Sequence, residues 1–358
     1  MNETKLIDQL KKQRRTVDFD TFDITVQQLL SMLKKKNIDI APAYQRKFRW
    51  EEQRCSQLIE SILLGIPVPS VSMATNRDGS WELVDGVQRI SAIVWFAGDD
   101  ELRGNLKLTE PLTLVGLEKL TEFLGTKFAD LPASVQLQFE LRPLKVVTLS
   151  DKSDKVVRFD LFERLNKGGV ALTEQEIRDC VYRGRFTKML ETLTRNHDFK
   201  TVLRLSKRQR RNGTNEECVL RFFAFLDNYG NFVHSVRDFL TDYTREASKN
   251  FDFPAGRAIF RETFAQLAVV FPDGLVRPTP GKKLSTTSLI LYEGVAVGAA
   301  LAIQKAGKID GSNVQAWLSS PELLKFTRGA TNDTTAVKGR IEFCRDRFLG
   351  VPTEEGNK

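Results

Sequence analysis

The sequence predicts an α+β protein in two parts, an α/β segment over residues 1–150 followed by an all-helical segment over residues 151–358. Three observations predict it. In the first part, apolar residues fall in short blocks bounded by turn residues, as at Val68 to Ala74 and Trp81 to Val84. From about Lys155 onward the apolar spacing becomes helical. A chain of 358 residues, 41% hydrophobic and 28% charged, has enough material for a core in each part.

The elements follow in order. Asp23 to Val26 leads into a helix through Leu29, Leu30 and Leu33, closed by Lys34-Lys35-Lys36-Asn37. A loop carrying Pro42 precedes a helix from about Glu51 to Leu64, with Leu58, Ile59, Ile62 and Leu63 on one face and Gly65 at its end. Val68 to Ala74 and Trp81 to Val84 read as strands around a turn at Asn76 to Gly79. Gly86 opens a helix that faces Ile90, Ile93, Val94 and Phe96 inward, and Phe139 to Leu149 reads as a further strand. Helices are expected over 155–165, 173–183, 186–195, 215–228, 232–248, 256–270, 284–305, 311–318 and 334–348. Asn212-Gly213, Pro272-Asp273-Gly274 and Pro278 to Gly281 break them.

Composition narrows the function classes. No apolar run approaches the roughly 18 residues of a membrane span, since the stretch from Val295 to Ile303 is punctuated by Gly294 and Gly298. The polar N-terminus has no secretory core, so a cytoplasmic protein without a membrane partner is expected. Cys55, Cys180, Cys218 and Cys344 stand singly, and His197 and His234 are the only histidines, which argues against a structural zinc site. A net charge of +8 favours polyanionic partners.

Three clusters carry candidate chemistry. In Trp81 to Ile90 a strand runs into Asp85-Gly86 and a helix begins at once. Gly86 permits a tight turn, the helix N-terminus offers N–H groups, and Arg89 adds a planar fork for phosphate oxygens. Asp85 could orient Arg89, bind a nucleotide hydroxyl or hold Mg²⁺. A plain strand-to-helix turn with an exposed arginine fits the pattern equally well. Tyr44, Gln45 and Arg46, ahead of Trp50, offer donors and flat faces, though core packing of Trp50 and a surface ion pair of Arg46 explain them too. The third cluster holds Asn166 before Gly168-Gly169, then Thr173 with Glu176 as a capping box, leaving Asn166 and Arg178 for a site or for ion pairs. Two basic runs, Lys11 to Arg15 and Arg204 to Arg211 with Lys207, Arg208 and Arg210, suit a DNA backbone or a solvated loop.

Tyr44-Gln45-Arg46, Val84 to Arg89, Leu165 to Gly169 with Leu172-Thr173, and Glu176-Ile177-Arg178 occur in the order and spacing of the GmrSD N-terminal domain family. The chain resembles that family over roughly residues 20 to 350, including Glu217 to Phe225 and Val337 to Ile341. Its usual DGQQR motif stands here with Val87 at the first glutamine.

The resemblance implies a ParB/sulfiredoxin-like N-terminal domain that binds NTP with Mg²⁺, hydrolyses it, and serves a DNA-restriction or anti-phage system. It implies catalytic roles for Asp85, Gln88 and Arg89, with Asp85 on the metal and Tyr44, Gln45, Arg46, Gly86, Asn166 and Arg178 around the nucleotide. The nucleic-acid partner would be DNA, including modified DNA, and a nuclease would come from a separate chain. The sole ExK, Glu3-Thr4-Lys5, lacks an upstream acidic partner, which disfavours a self-contained nuclease. The alternative is a non-catalytic DNA-sensing module using the same pocket; homo-oligomerisation is compatible with either.

Overall fold

The computed structural model describes residues 5–8, 19–40, 50–76, 78–150, 173–233, 235–277, 286–329 and 331–351. It divides into a unit over residues 1–171 and a unit over 172–358. The sequence pattern places this division near 150; the stretch between the two positions lies outside the described residues, as does the helix expected over 155–165.

The first unit is built on a five-stranded mixed sheet in the order β1-β5-β3-β4-β2. Strand β1 (Phe19–Thr25) is antiparallel to β5 (Pro143–Leu149), which runs parallel to β3 (Val71–Thr75). The β3 strand forms a hairpin with β4 (Trp81–Asp85), and the two-residue β2 (Ile38–Asp39) pairs parallel to β4. The sheet curls: Phe22 on β1 and Trp81 on β4, with two strands between them, bring their rings to 5.3 Å. Because β1 and β4 end where β3 and β5 begin, Asp23, Ser70, Asp85 and Lys145 share one end of the sheet.

Local sequence explains the flanking helices. Thr25 and Gln28 form a reciprocal capping box that starts α1 (Val26–Lys34), and Val26, Leu29 and Leu33 are its buried stripe. Helix α2 (Glu52–Leu64) buries Cys55, Leu58, Ile59 and Ile62 and stops at Gly65, whose φ of 73° is a left-handed C-cap. Helix α3 (Val87–Ala97) packs on α2, and its Phe96 meets Phe128 and Phe139 in T-shaped contacts. The short α4 (Asp100–Asn105) is capped by Asp99.

Two expectations from the sequence need correction. The strand expected from Phe139 begins only at Pro143, because Pro132 starts helix α5 (Ala133–Glu140), which carries Phe139 into the core. Strand β1 escaped detection because Phe19 to Asp23 are all exposed, so the alternation that marks a strand is missing.

The second unit is helical throughout its described residues. It comprises α6 (Glu174–Val181), α7 (Arg185–Leu193), α8 (His197–Val202), α9 (Lys207–Arg211), α10 (Thr214–Asn228), α11 (Val236–Asn250) and α12 (Phe253–Val270). Then come α13 (Leu289–Ala306), α14 (Val314–Leu318), α15 (Pro321–Thr327) and α16 (Thr334–Phe348). Aromatic rings dominate the core, among them Phe222, Phe260 and Phe264 with Tyr292 stacked on Phe264.

Helix α13 differs from expectation. It is 18 residues long with a mean hydropathy of 1.4, long and apolar enough to cross a membrane, and two-thirds of it is buried within this unit. It packs against α10, α12 and α16, so it is apolar around most of its circumference. The glycines that punctuate its sequence have a packing reason. A Cβ at Gly298 would lie 2.7 Å from the Cys344 Cβ, and one at Gly294 would lie 3.1 Å from the Arg340 carbonyl oxygen, so both admit the α16 backbone.

Candidate functional site

Strand β4 ends at Asp85, and Gly86 turns the chain into α3 with φ of 102°, a conformation that a side chain would strain. A Cβ there would also press on both Val71 methyls at 3.1 Å. No side chain caps α3, so its N-terminus keeps the positive end of the helix dipole without a built-in acceptor.

Arg89 is held beside this turn. Its Nη2 donates to Asp85 Oδ2 at 2.8 Å and to the Ser70 carbonyl at 3.1 Å. The Nε is buried and finds no hydrogen-bond partner among the described residues. The arginine side chain is 15% exposed and the aspartate 38%, so the pair opens to solvent mainly on the carboxylate side. A guanidinium fixed at one corner with donors left over is oriented for a further acceptor.

Gln88 has a different setting. It is buried, and its Oε1 accepts from the Trp50 backbone N–H at 3.2 Å. The Arg54 guanidinium lies 4.6 Å above the Trp50 ring. The Gln88 contact pins Trp50 to the start of α3. Tyr44, Gln45 and Arg46 themselves lie outside the described residues, and so does Asn166.

A cleft of about 410 Å³ opens at the same end of the sheet, between the Gly65 to Ser70 segment and the start of β5. Arg142, Lys145 and Asp23 supply its charges. Nothing in the sequence singled out Arg142; its only signal is an arginine just ahead of Pro143 and a strand, a pattern too common to notice.

The remaining expected residues belong to the helical unit. Thr173 and Glu176 form the expected capping box, with Thr173 N–H donating to Glu176 Oε2 at 2.8 Å. Arg178 is wholly buried on α6. Its Nε donates to Gln175 at 3.0 Å, its Nη2 to Glu217 at 3.3 Å, and its Nη1 has no partner among the described residues. Burial pulls its pKa below the ordinary arginine value, against the opposing pull of Glu217.

Arg178 starts a chain of alternating charges. Glu217 also takes Arg221 at 2.6 Å, Arg221 reaches Glu293 on α13, and Glu293 takes Arg340 from α16. Removing one member leaves its buried partners, such as Glu293 and Arg340, under-compensated.

Arg204, Lys207, Arg208 and Arg210 are exposed, and Ser206 caps α9. Arg204 Nη1 donates to the Asp273 carbonyl and Arg210 Nε to the Leu205 carbonyl, each at 3.0 Å. Arg211 closes the helix. A larger cleft of about 650 Å³ in this unit is lined by Phe223, Tyr243 and Phe251 with Asp227 and Asp242, an acidic setting unsuited to phosphate.

Fold and site together define an α+β domain whose sheet ends in a strand–turn–helix corner with an arginine clamped beside it. Residues 26–183 match the family model of the GmrSD restriction endonuclease, N-terminal domain, a match that supports a restriction-related module. The match holds the Asp85 to Arg89 corner and α6 but stops short of α7, so the likeness read at 217–225 and 337–341 lies beyond it. No curated protein matches the chain.

Proposed function

We propose that the first unit binds a nucleoside triphosphate with Mg²⁺ at the Asp85-Gly86-Arg89 corner and hydrolyses it, serving a restriction system whose nuclease is a separate chain. The observation that carries this reading is Arg89, anchored by Asp85 and the Ser70 carbonyl with a buried Nε left unsatisfied beside an uncapped helix N-terminus. Guanidinium donors, a positive helix end and a glycine that admits close backbone approach all fit a phosphate group.

Mg²⁺ fits as well. It is commonly held by one or two carboxylates plus substrate phosphates, and Asp85 is the carboxylate at hand, with Oδ2 turned to Arg89. The bound metal would neutralise phosphate charge. Gln88, tied to Trp50, serves in this reading as a positioning residue for the 44–46 segment, whose Tyr44, Gln45 and Arg46 would complete the pocket. Arg178, buried against Glu217, holds α6 in the helical core. The fold of this unit is proposed to be of the ParB/sulfiredoxin kind, and the exposed α9 face to follow the phosphates of duplex DNA.

A second reading, a DNA-sensing module without hydrolysis, draws on Val87, an apolar residue at the first position of α3. Calorimetry with each of the four NTPs and Mg²⁺, paired with phosphate release, separates the two. Loss of the Arg89 fork should cost about 2 kcal/mol, roughly thirtyfold in affinity. Arg89→Lys should also bind more weakly. Equal affinity for wild type and Arg89→Ala, with unchanged thermal unfolding, removes the corner as the site. Arg89-dependent DNA binding, with neither NTP binding nor phosphate release from any NTP, selects the sensing module.

A further inference from the structure

We propose that Arg142, with Lys145, forms a second anion subsite in the cleft beside the Arg89 corner, and that this subsite takes the far end of a polyphosphate chain. The inference rests on the phosphate-binding reading of the corner. Ser70 joins the two places, because its carbonyl anchors Arg89 and its residue lines the cleft with Arg142.

The two arginines are mounted alike. Arg142 donates Nη2 to the Leu63 carbonyl at 2.9 Å, near the C-terminal end of α2, just as Arg89 donates to Ser70. Each has a buried Nε without a partner, and the Arg142 side chain has no other hydrogen bond among the described residues. The Arg142 guanidinium lies across Gly65, where an added Cβ would stand 2.8 Å from Nη1. So the backbone at 65, already left-handed, makes room for the side chain and sets its direction. A structural tie to α2 needs one donor; the remaining donors of a permanently charged group need an acceptor.

Electrostatics agrees with an anion. Arg142 and Lys145 outnumber the single carboxylate, Asp23, which stands directly across from Lys145 in the β1–β5 ladder. Ile62, Ile66 and Val68 give the cleft an apolar lining beside these cations. A chain of phosphates that engages both guanidiniums would be held at two points, which adds affinity through a second, intramolecular contact.

The test is calorimetry of the full chain with inorganic tripolyphosphate, without Mg²⁺, against orthophosphate and against duplex DNA. Arg142→Gln and Arg89→Gln should each weaken tripolyphosphate binding by roughly tenfold or more, with orthophosphate affinity at the corner changed by Arg89→Gln alone. Lys145→Gln should weaken tripolyphosphate a few-fold, about half a decade, and Asp23→Asn should tighten it by a similar factor. Opposite signs at these two exposed positions are not a result that a purely structural role produces.

If Arg142→Gln fails to fold, Arg142→Lys keeps the charge and should still lose several-fold, because a point charge does not replace the fork. Unchanged tripolyphosphate affinity in Arg142→Gln, or in both Arg142→Lys and Lys145→Gln, overturns the subsite and leaves the corner standing if Arg89→Gln is impaired. A wild type that binds no tripolyphosphate and no NTP overturns both. Loss of DNA binding alone in Arg142→Gln overturns the polyphosphate assignment.

Discussion

Glu60 lies buried on α2, and its carboxylate accepts from three successive backbone amides, Glu118 at 3.2 Å, Lys119 at 2.7 Å and Leu120 at 2.8 Å. Burial pushes its pKa up, but the three N–H groups outweigh burial and hold it below the ordinary 4.5. A depressed carboxylate contributes stability in full above its unfolded value and loses it as pH falls through the folded one. Glu60→Gln should therefore lower the unfolding midpoint at neutral pH by an amount worth about 1–3 kcal/mol. The gap to wild type should shrink in mildly acidic buffer below pH 4.5, and a pH-independent gap would contradict the assignment. For the thiols burial prevails, and it acts in the same direction. Burial raises Cys55 to about 12 and raises Cys218 and Cys344 as well. These three should stay unreacted toward a disulfide reagent at pH 8 until denaturant is added, as thiolates are the reactive species. Rapid labelling of any of them in the native protein would show that its pocket opens.

At the level of elements, the turn into α3 and the exposed α9 make separate predictions. Gly86→Ala adds a Cβ against Val71 at a left-handed position, so about 1 kcal/mol or more of stability should go with it. NTP affinity should fall too, and a variant with wild-type melting and binding would mean that the turn relaxes freely. For α9, the triple change of Lys207, Arg208 and Arg210 to Ser should weaken duplex binding on every sequence alike. The log–log salt slope should flatten by about 0.9 for each phosphate no longer neutralised, two to three units in all. Arg204 is left in place in this test because it braces Asp273. NTP binding should survive, since the corner lies in the other unit; an unaltered slope would remove α9 from the DNA surface. The corner was legible in advance because Asp85-Gly86 sits between two strongly patterned elements. The α8 helix, β2 and α15 were not: each is short, and apolar periodicity needs two or more turns to show.

Across the molecule, the sequence distinguished a sheet-bearing part from a helical one, since apolar period differs between them. It could not locate Arg142 or explain Gly298, because both depend on what tertiary packing brings alongside. Arg178 is the sharpest instance. Its motif left it for a site or for ion pairs, and packing buries it and joins it to Glu217, Arg221, Glu293 and Arg340. Glu293→Gln would leave two arginines under-compensated in the core, and breaking such a pair typically costs about 3–5 kcal/mol. The helical unit should then melt well before wild type in calorimetry; a variant of equal stability would show that the chain of charges is dispensable.

That chain also sets an order of events during synthesis. Glu293 leaves the ribosome 47 residues before Arg340, its partner on α16, and the glycine face of α13 waits for the same helix. Until α16 arrives, the nascent chain presents an apolar 18-residue helix with a half-neutralised carboxylate and an uncovered groove. Local helix formation cannot resolve this, because the missing atoms do not yet exist. Premature stop codons before Arg340 should accordingly yield insoluble, chaperone-bound product rather than a shortened soluble protein, and α16 acts as the latch of the helical core.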